Sequence, residues 1–163
     1  MFQYPFPMLA MTSDIVVFKV GHNDSRALHV LMIERGGNPY KGYLALPGGF
    51  MNAESETAFE CVKRETFEET NLVIPDKDIN FVGIWDEPYR DPRGRTVSSC
   101  YYIVINDEQA KECKAGDDAT SYQWVEVNDI LFGYTDIKVA FDHTEMIRVA
   151  SQLFFSKLNG LST

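Results

Sequence analysis

Arg64, Glu65, Glu68 and Glu69 hold the densest chemistry in this sequence. The three glutamates stand at i, i+3 and i+4, neighbours on one surface of a helix. Glu56 to Thr70 contains no Pro or Gly, and its pattern predicts a helix. A step of roughly 100° per residue places Ala58, Cys61, Val62, Glu65, Glu69 and Leu72 on one face, with Glu68 at its edge. That face begins apolar and then carries acids where a core helix carries Leu or Val. A buried carboxylate is costly unless it is paired or bound to a cation. Arg64 can serve one of these acids, not all three. A hard divalent cation with oxygen ligands, Mg²⁺ or Mn²⁺, is the chemical remedy. A charge run more often marks a solvated face. Here the acids coincide with the apolar stripe, and the turn Pro47-Gly48-Gly49 precedes them. Gly48 and Gly49 let that backbone approach the helix and a ligand closely. Glu56 reaches the same ions if the loop folds back.

The elements that must position this helix are mostly strands. Thr12 to Val20 and Ala27 to Glu34 read as a hairpin around the turn cluster Gly21-His22-Asn23-Asp24-Ser25. A turn-rich loop, 35–42, leads to a short strand, Tyr43 to Leu46. Arg35 and Lys41 in that loop can face phosphate or solvent. Ile79 to Trp85 is a strand, followed by an irregular Pro/Gly loop through Arg95. Arg90, Arg93 and Arg95 fall within that loop; arginine forks bind phosphate in bidentate fashion, and Tyr89 or Trp85 can stack on a purine. Thr96 to Asn106 reads as a long central strand. Asp107 to Ala119 reads as an acidic loop, a possible lid, whose Glu108, Glu112, Asp117 and Asp118 are candidate general bases. Ser121 to Val127 is a strand, and Asn128 caps a short turn or helix through Leu131. A terminal helix runs to about Leu158, with Asp142 as N-cap, Glu145 completing a capping box, and an apolar stripe of Met146, Val149, Ala150, Leu153 and Phe154. His22 and His29 read as bystanders, and His143 as a histidine hydrogen-bonded near a helix start rather than a catalytic one.

Composition narrows the function. With 163 residues, 45% hydrophobic and 24% charged, the chain reads as one globular domain with a substantial core. The net charge of −9 argues against a general nucleic-acid binder, which needs a basic patch, but not against a nucleotide bridged by metal ions. Cys61, Cys100 and Cys113 are too few and too scattered for a disulfide framework or a zinc site, and a reducing cytoplasm fits. No stretch has the length of a membrane span, and residues 1–8 do not form a signal peptide. Residues 1–10, with two prolines, read as an arm.

At this point a resemblance enters. Gly49…Glu56-x7-Arg64-Glu65-x2-Glu68-Glu69-x-Asn71-Leu72 resembles the Nudix box of the pyrophosphohydrolases. It departs by one extra residue between Gly49 and Glu56, which bears on the roles of Glu56 and its neighbour Glu54. It departs also by Asn71 where Gly is usual; Asn tolerates the left-handed conformation that ends a helix. Asp14-Ile15-Val16-Val17-Phe18, the approach from Lys41-Gly42 to Leu46-Pro47-Gly48-Gly49-Phe50, the 90–95 loop, Ala115-Gly116-Asp117-Asp118-Ala119 and Ala140-Phe141-Asp142-His143 are similar to the ADP-ribose pyrophosphatase branch. That branch also contains nicotinamide-related transcription regulators and other nucleotide-sugar hydrolases. The resemblance implies an α/β (α+β) fold, an α/β/α sandwich around a mixed sheet, spanning residues 11–163 and often assembled as a homodimer. It implies a Mg²⁺-dependent (Mn²⁺ as alternative) hydrolase of a nucleoside diphosphate linked to X, foremost ADP-ribose, giving AMP and ribose 5-phosphate. Glu65, Glu68, Glu69 and Glu56 would hold the metal, and Glu65, Glu68 and Arg64 would be catalytic. A carboxylate of the box or of the 107–119 loop would take the water proton. Arg35, Gly48, Gly49, Tyr89, Arg90 and Arg95 would bind substrate. Two alternatives stay open: a hydrolase of another dinucleotide, nucleotide sugar or nucleoside triphosphate, and a non-catalytic ADP-ribose sensor. Against the sensor stand the retained glutamates and a sequence that ends just after the 142–158 helix, without room for a winged DNA-binding domain.

Overall fold

The computed structural model describes residues 5–21, 27–115 and 119–160, the side chains of 119 and 120 excepted. His22, Asp117 and Asp118 lie outside the described residues. Among the described residues seven strands form one mixed sheet: β1 (Ala10–Val20), β2 (Leu28–Arg35), β3 (Leu44–Ala45), β4 (Gly48–Phe50), β5 (Asn80–Trp85), β6 (Thr96–Ile105) and β7 (Ala119–Glu126). Four helices flank it: α1 (Ala58–Thr70), α2 (Asp107–Ala110), α3 (Val127–Phe132) and α4 (His143–Leu158). The sheet runs β3-β2-β1-β6-β5, with β4 on β1 and β7 on β2.

Side-chain alternation along β1 sets the layers, because successive residues of a strand point to opposite faces. Ile15 and Val17 pack with Val62 of α1, Leu72 and Ile103. Val16 and Phe18 pack with Val30, Ile130 of α3, and Met146, Ile147 and Phe154 of α4. Both faces of the central strands are therefore covered, which is the expected α/β/α sandwich.

One irregularity opens the functional cleft. β6 runs parallel along the whole of one edge of β1. The other edge of β1 pairs with β2 only at Phe18–Val20 and takes β4 at Thr12–Asp14. Likewise β2, lined by β7 on one edge, takes β3 at Ile33 and Glu34 on the other. The two strands thus diverge, and the segment 44–50 crosses the gap between them. The Pro47 carbonyl accepts the Ile15 N–H at the crossing.

Some boundaries differ from expectation. α1 starts at Ala58 rather than Glu56, because Thr57 and Glu60 form a reciprocal capping box there. The predicted strand 43–46 is shorter, and β4 follows it beyond Pro47. Part of the acidic loop is α2, capped by Asn106 and Gln109. Glu126, not Asn128, occupies the N-cap position of α3. Asp142 does precede α4 but caps nothing with its side chain, since both its oxygens bind Arg90 and Glu145 pairs with Arg148. The expected stripe of α4 does face the sheet, with Met146, Ala150 and Phe154 buried.

α1 ends where Asn71 adopts φ 59°, ψ 13°, its N–H returning to the Phe67 carbonyl. Asn71→Gly should keep or slightly raise stability, whereas Asn71→Val should cost about 1–2 kcal/mol; urea unfolding of both variants checks this.

Candidate functional site

The site begins at the glycine turn. A Cβ on Gly49 would lie 2.5 Å from the Glu65 carboxylate, and one on Gly48 would lie 2.5 Å from Asp14 Oδ1. Only glycine leaves room for acids on both sides of this backbone. Gly48 N–H donates to Glu69 Oε2 at 2.9 Å. Glu69 is mostly buried, and desolvation, opposed by that single bond and reinforced by the charges of Glu65 and Asp14, pushes its pKa up to about 8. Burial likewise raises the pKa of Glu65.

Arg64 gathers the remaining acids. Its Nε and Nη2 donate to Glu56 at 2.9 and 2.7 Å, its Nη1 to Glu65 at 2.7 Å and to Glu68 at 3.0 Å, and Nη2 also to the Phe50 carbonyl at 3.2 Å. Glu56 accepts in addition the Asn52 N–H at 2.7 Å. The Arg64 bonds, then the Asn52 bond, hold its pKa down at about 2. The extra loop residue is thus absorbed before Glu56, which keeps its place on Arg64, while Glu54 is exposed. Glu68 is 55% exposed at the rim.

The cleft over the turn is lined by Thr12, Asp14, Arg35, Gly48, Gly49, Phe50, Arg90, Asp91, Arg93, Phe141 and His143, among others. Two of its arginines are held by stacking. The Arg35 guanidinium lies 4.9 Å from the Phe141 ring centre, and that of Arg93 lies 4.7 Å from Phe50 and 5.6 Å from Phe141. Arg35 donates from Nε to the Pro39 carbonyl at 2.8 Å, and Asp91 grips Arg93 through both carboxylate oxygens. Burial, and then the neighbouring charge of Arg93, lower the pKa of the Arg35 guanidinium. Arg90 is buried against Asp142 and ties the 86–95 loop to the start of α4.

Arg35, Gly48, Gly49 and Arg90 line one cleft. Tyr89 and Arg95 do not line it: Tyr89 is 94% exposed and Arg95 is exposed, whereas the loop buries Arg90 and Asp91 and lays the partly exposed Arg93 along the cleft wall. Trp85 packs against the α4-side core. Glu108 and Glu112 are exposed and line no part of the cleft. Asp14, Asp91 and Phe141 were not singled out from sequence. Asp14 had a signal, a carboxylate interrupting an apolar strand; it is buried and accepts from the Ser98 hydroxyl. His143 is buried, its Nδ1 accepting the Leu46 N–H at 2.9 Å. His29 Nδ1 lies 3.1 Å from the Ala27 carbonyl.

The donor set fits a hard divalent cation in kind. Glu65 and Glu69 place oxygens where burial leaves negative charge poorly compensated, and Gly49 keeps the space between helix and turn free. As the side chains stand, Arg64 takes Glu65 and Glu68, and among the described residues no three acids, histidines or cysteines converge as a finished metal site.

This sandwich, with an acid-bearing helix set against a glycine turn, is of the Nudix type, and the chain belongs to the NUDIX domain family, whose model matches residues 12–149. It is 40% identical over 119 residues to an ADP-ribose pyrophosphatase of Methanocaldococcus jannaschii, covering 73% of this chain and 63% of that protein. It is 31% identical over 157 residues to the ADPR responsive transcriptional repressor NtrR of Acinetobacter baylyi, covering 96% of this chain and 56% of that protein. The chain thus spans less than two thirds of either relative. The NUDIX domain of Shewanella oneidensis NrtR, solved with ADP ribose, superposes with a TM-score of 0.78 at 27% identity, covering 93% of this chain and 94% of that one. Among the described residues no helix is long and apolar enough to cross a membrane.

The raised pKa of Glu69 has a definite sign. An acid raised from 4.5 to about 8 favours the folded state below pH 4.5, and this contribution is lost as pH rises through about 8. Glu56, held at about 2, acts only below pH 4.5, so the two windows separate. In chelator-treated protein, stability should therefore fall between pH 5 and 8.5, and Glu69→Gln should flatten that slope; urea midpoints across the range measure it.

Proposed function

We propose that this chain is a divalent-metal-dependent diphosphatase of a nucleoside diphosphate linked to X, acting on ADP-ribose to give AMP and ribose 5-phosphate. One observation carries the reading: Glu65 and Glu69 converge on the Gly48–Gly49 backbone beneath a cleft whose wall holds the stacked cations Arg35 and Arg93. In a chain of net charge −9, an anionic diphosphate needs this local reversal of charge to enter. The relatives' names point to the same ligand.

Glu65 and Glu69, with Glu68 at the rim, would hold Mg²⁺ or Mn²⁺, which when bound neutralises phosphoryl oxygens and activates water. Glu56 is read as orienting Arg64, since its oxygens are already taken by that arginine and Asn52. Arg64 in turn aligns the Glu65 carboxylate. Arg35 and Arg93, kept extended by Phe141 and Phe50, would fork onto the diphosphate. We place the proton acceptor among the helix carboxylates, because Glu108 and Glu112 lie outside the cleft. A homodimer and a cytoplasmic setting complete the proposal.

A second reading rests on the match to the A. baylyi repressor along 96% of the chain: an ADP-ribose sensor without turnover. A panel of ADP-ribose, nucleotide sugars, dinucleotides and nucleoside triphosphates, assayed with Mg²⁺ and with Mn²⁺, separates the readings. ADP-ribose should be cleaved by the native chain, and Glu65→Gln and Glu69→Gln should each lose about 100-fold or more. Wild-type rates in both variants would end the hydrolase reading; tight binding without cleavage by the native chain would establish the sensor. Arg93→Ala should raise KM more than it lowers kcat.

A further inference from the structure

The entry to α4, residues 141–143, touches three separate parts of the cleft. Phe141 stacks on Arg35 and Arg93, Asp142 chelates Arg90, and His143 reaches the glycine turn. That last contact is directional. His143 Nδ1 accepts the Leu46 N–H at 2.9 Å across 97 residues of sequence, so in the neutral ring the proton sits on Nε2. Nε2 faces Asp14 Oδ1 at 3.6 Å, and a carboxylate there favours a proton on the nitrogen nearest to it. The ring is 4% exposed and lies against Phe141, with centroids 5.3 Å apart. Backbone donor on one side and carboxylate on the other select the same tautomer.

Leu46 is two residues before Gly48, whose N–H holds Glu69. The intervening Pro47 has no N–H to donate, and its carbonyl is fixed on Ile15. We propose that His143 is a positioning residue for diphosphate cleavage: as an obligatory acceptor at Nδ1 it fixes the Leu46–Gly48 backbone and thereby the place of the Glu69 carboxylate. This rests on the diphosphatase reading. It gives the start of α4 a task apart from ligand contact, and it explains why a histidine, with an acceptor and a donor on opposite sides of one ring, stands here. Serine or threonine would be too short to span both partners.

The test separates the two ring nitrogens. In His143→Asn the side-chain oxygen stands near the Nδ1 position and can still accept from Leu46. In His143→Gln the amide stands near Nε2, keeps a group toward Asp14 and loses the acceptor. With ADP-ribose and Mg²⁺, His143→Gln should lower kcat about 10- to 100-fold, the scale of a misplaced catalytic group, with KM within about threefold. His143→Asn should recover most of kcat. Independently of turnover, ¹⁵N NMR of the native imidazole should show Nδ1 unprotonated and Nε2 protonated at neutral pH. A protonated Nδ1, equal activity in the Asn and Gln variants, or a loss confined to KM would each overturn the proposal. If neither variant folds, the tautomer read from the native protein decides. A native chain that shows the expected tautomer but hydrolyses no diphosphate overturns the diphosphatase reading and the positioning role with it; an active chain with the wrong tautomer overturns the role alone.

Discussion

The structure depends on a contact made possible by missing side chains: the Gly48–Gly49 backbone lying flush against the carboxylates of α1. Any Cβ on Gly49 would occupy the Glu65 carboxylate. The approach is electrostatically uncomfortable, since it buries Glu65 and Glu69 near Asp14. It persists because Gly48 N–H, Arg64 and the packing of Val62 and Leu72 under the sheet hold the helix in place. A structural helix would relieve this crowding with apolar residues. Retaining the acids keeps oxygen donors that a bound cation could draw into the charged form, beside the stacked arginines of the cleft wall, and this contrast gives the site its chemistry.

The divergence of β1 from β2 makes that contact accessible. Had the two strands stayed paired along their length, the sheet would separate α1 from the cleft on the α4 side. The crossing segment 44–50 replaces a strand pair with backbone that has no side chains at Gly48 and Gly49. The acids of one layer can then act in the other. The arginines complete the arrangement from loops, and each is restrained by stacking or by a carboxylate, so little side-chain freedom is left to lose on binding.

Much of this was legible in the sequence. The helix and its acidic face follow from periodicity, whereas the layered fold and the helix end at Asn71 follow from the resemblance to the Nudix box. Arg35, expected from the resemblance, and Arg90, expected from the arginine-rich loop, both line the cleft. The failures have a common cause. Tyr89 and Arg95 sit in the same loop as Arg90 and Arg93, and an irregular loop carries no periodicity from which inward and outward positions can be read. Asp142 looked like a helix cap because capping is local; its real partner, Arg90, is 52 residues away. Asp14 and His143 likewise acquire meaning only when β6 brings Ser98 beside Asp14 and the crossing segment 44–50 brings Leu46 beside His143.

Arg64 is shared among its neighbours. One guanidinium serves three carboxylates and a carbonyl, so these positions share an evolutionary fate. A change at Glu56 alters what Arg64 can do for Glu65, and a change at Arg64 alters what every acid around it costs. The cost of a substitution here therefore depends on which of its neighbours has already changed.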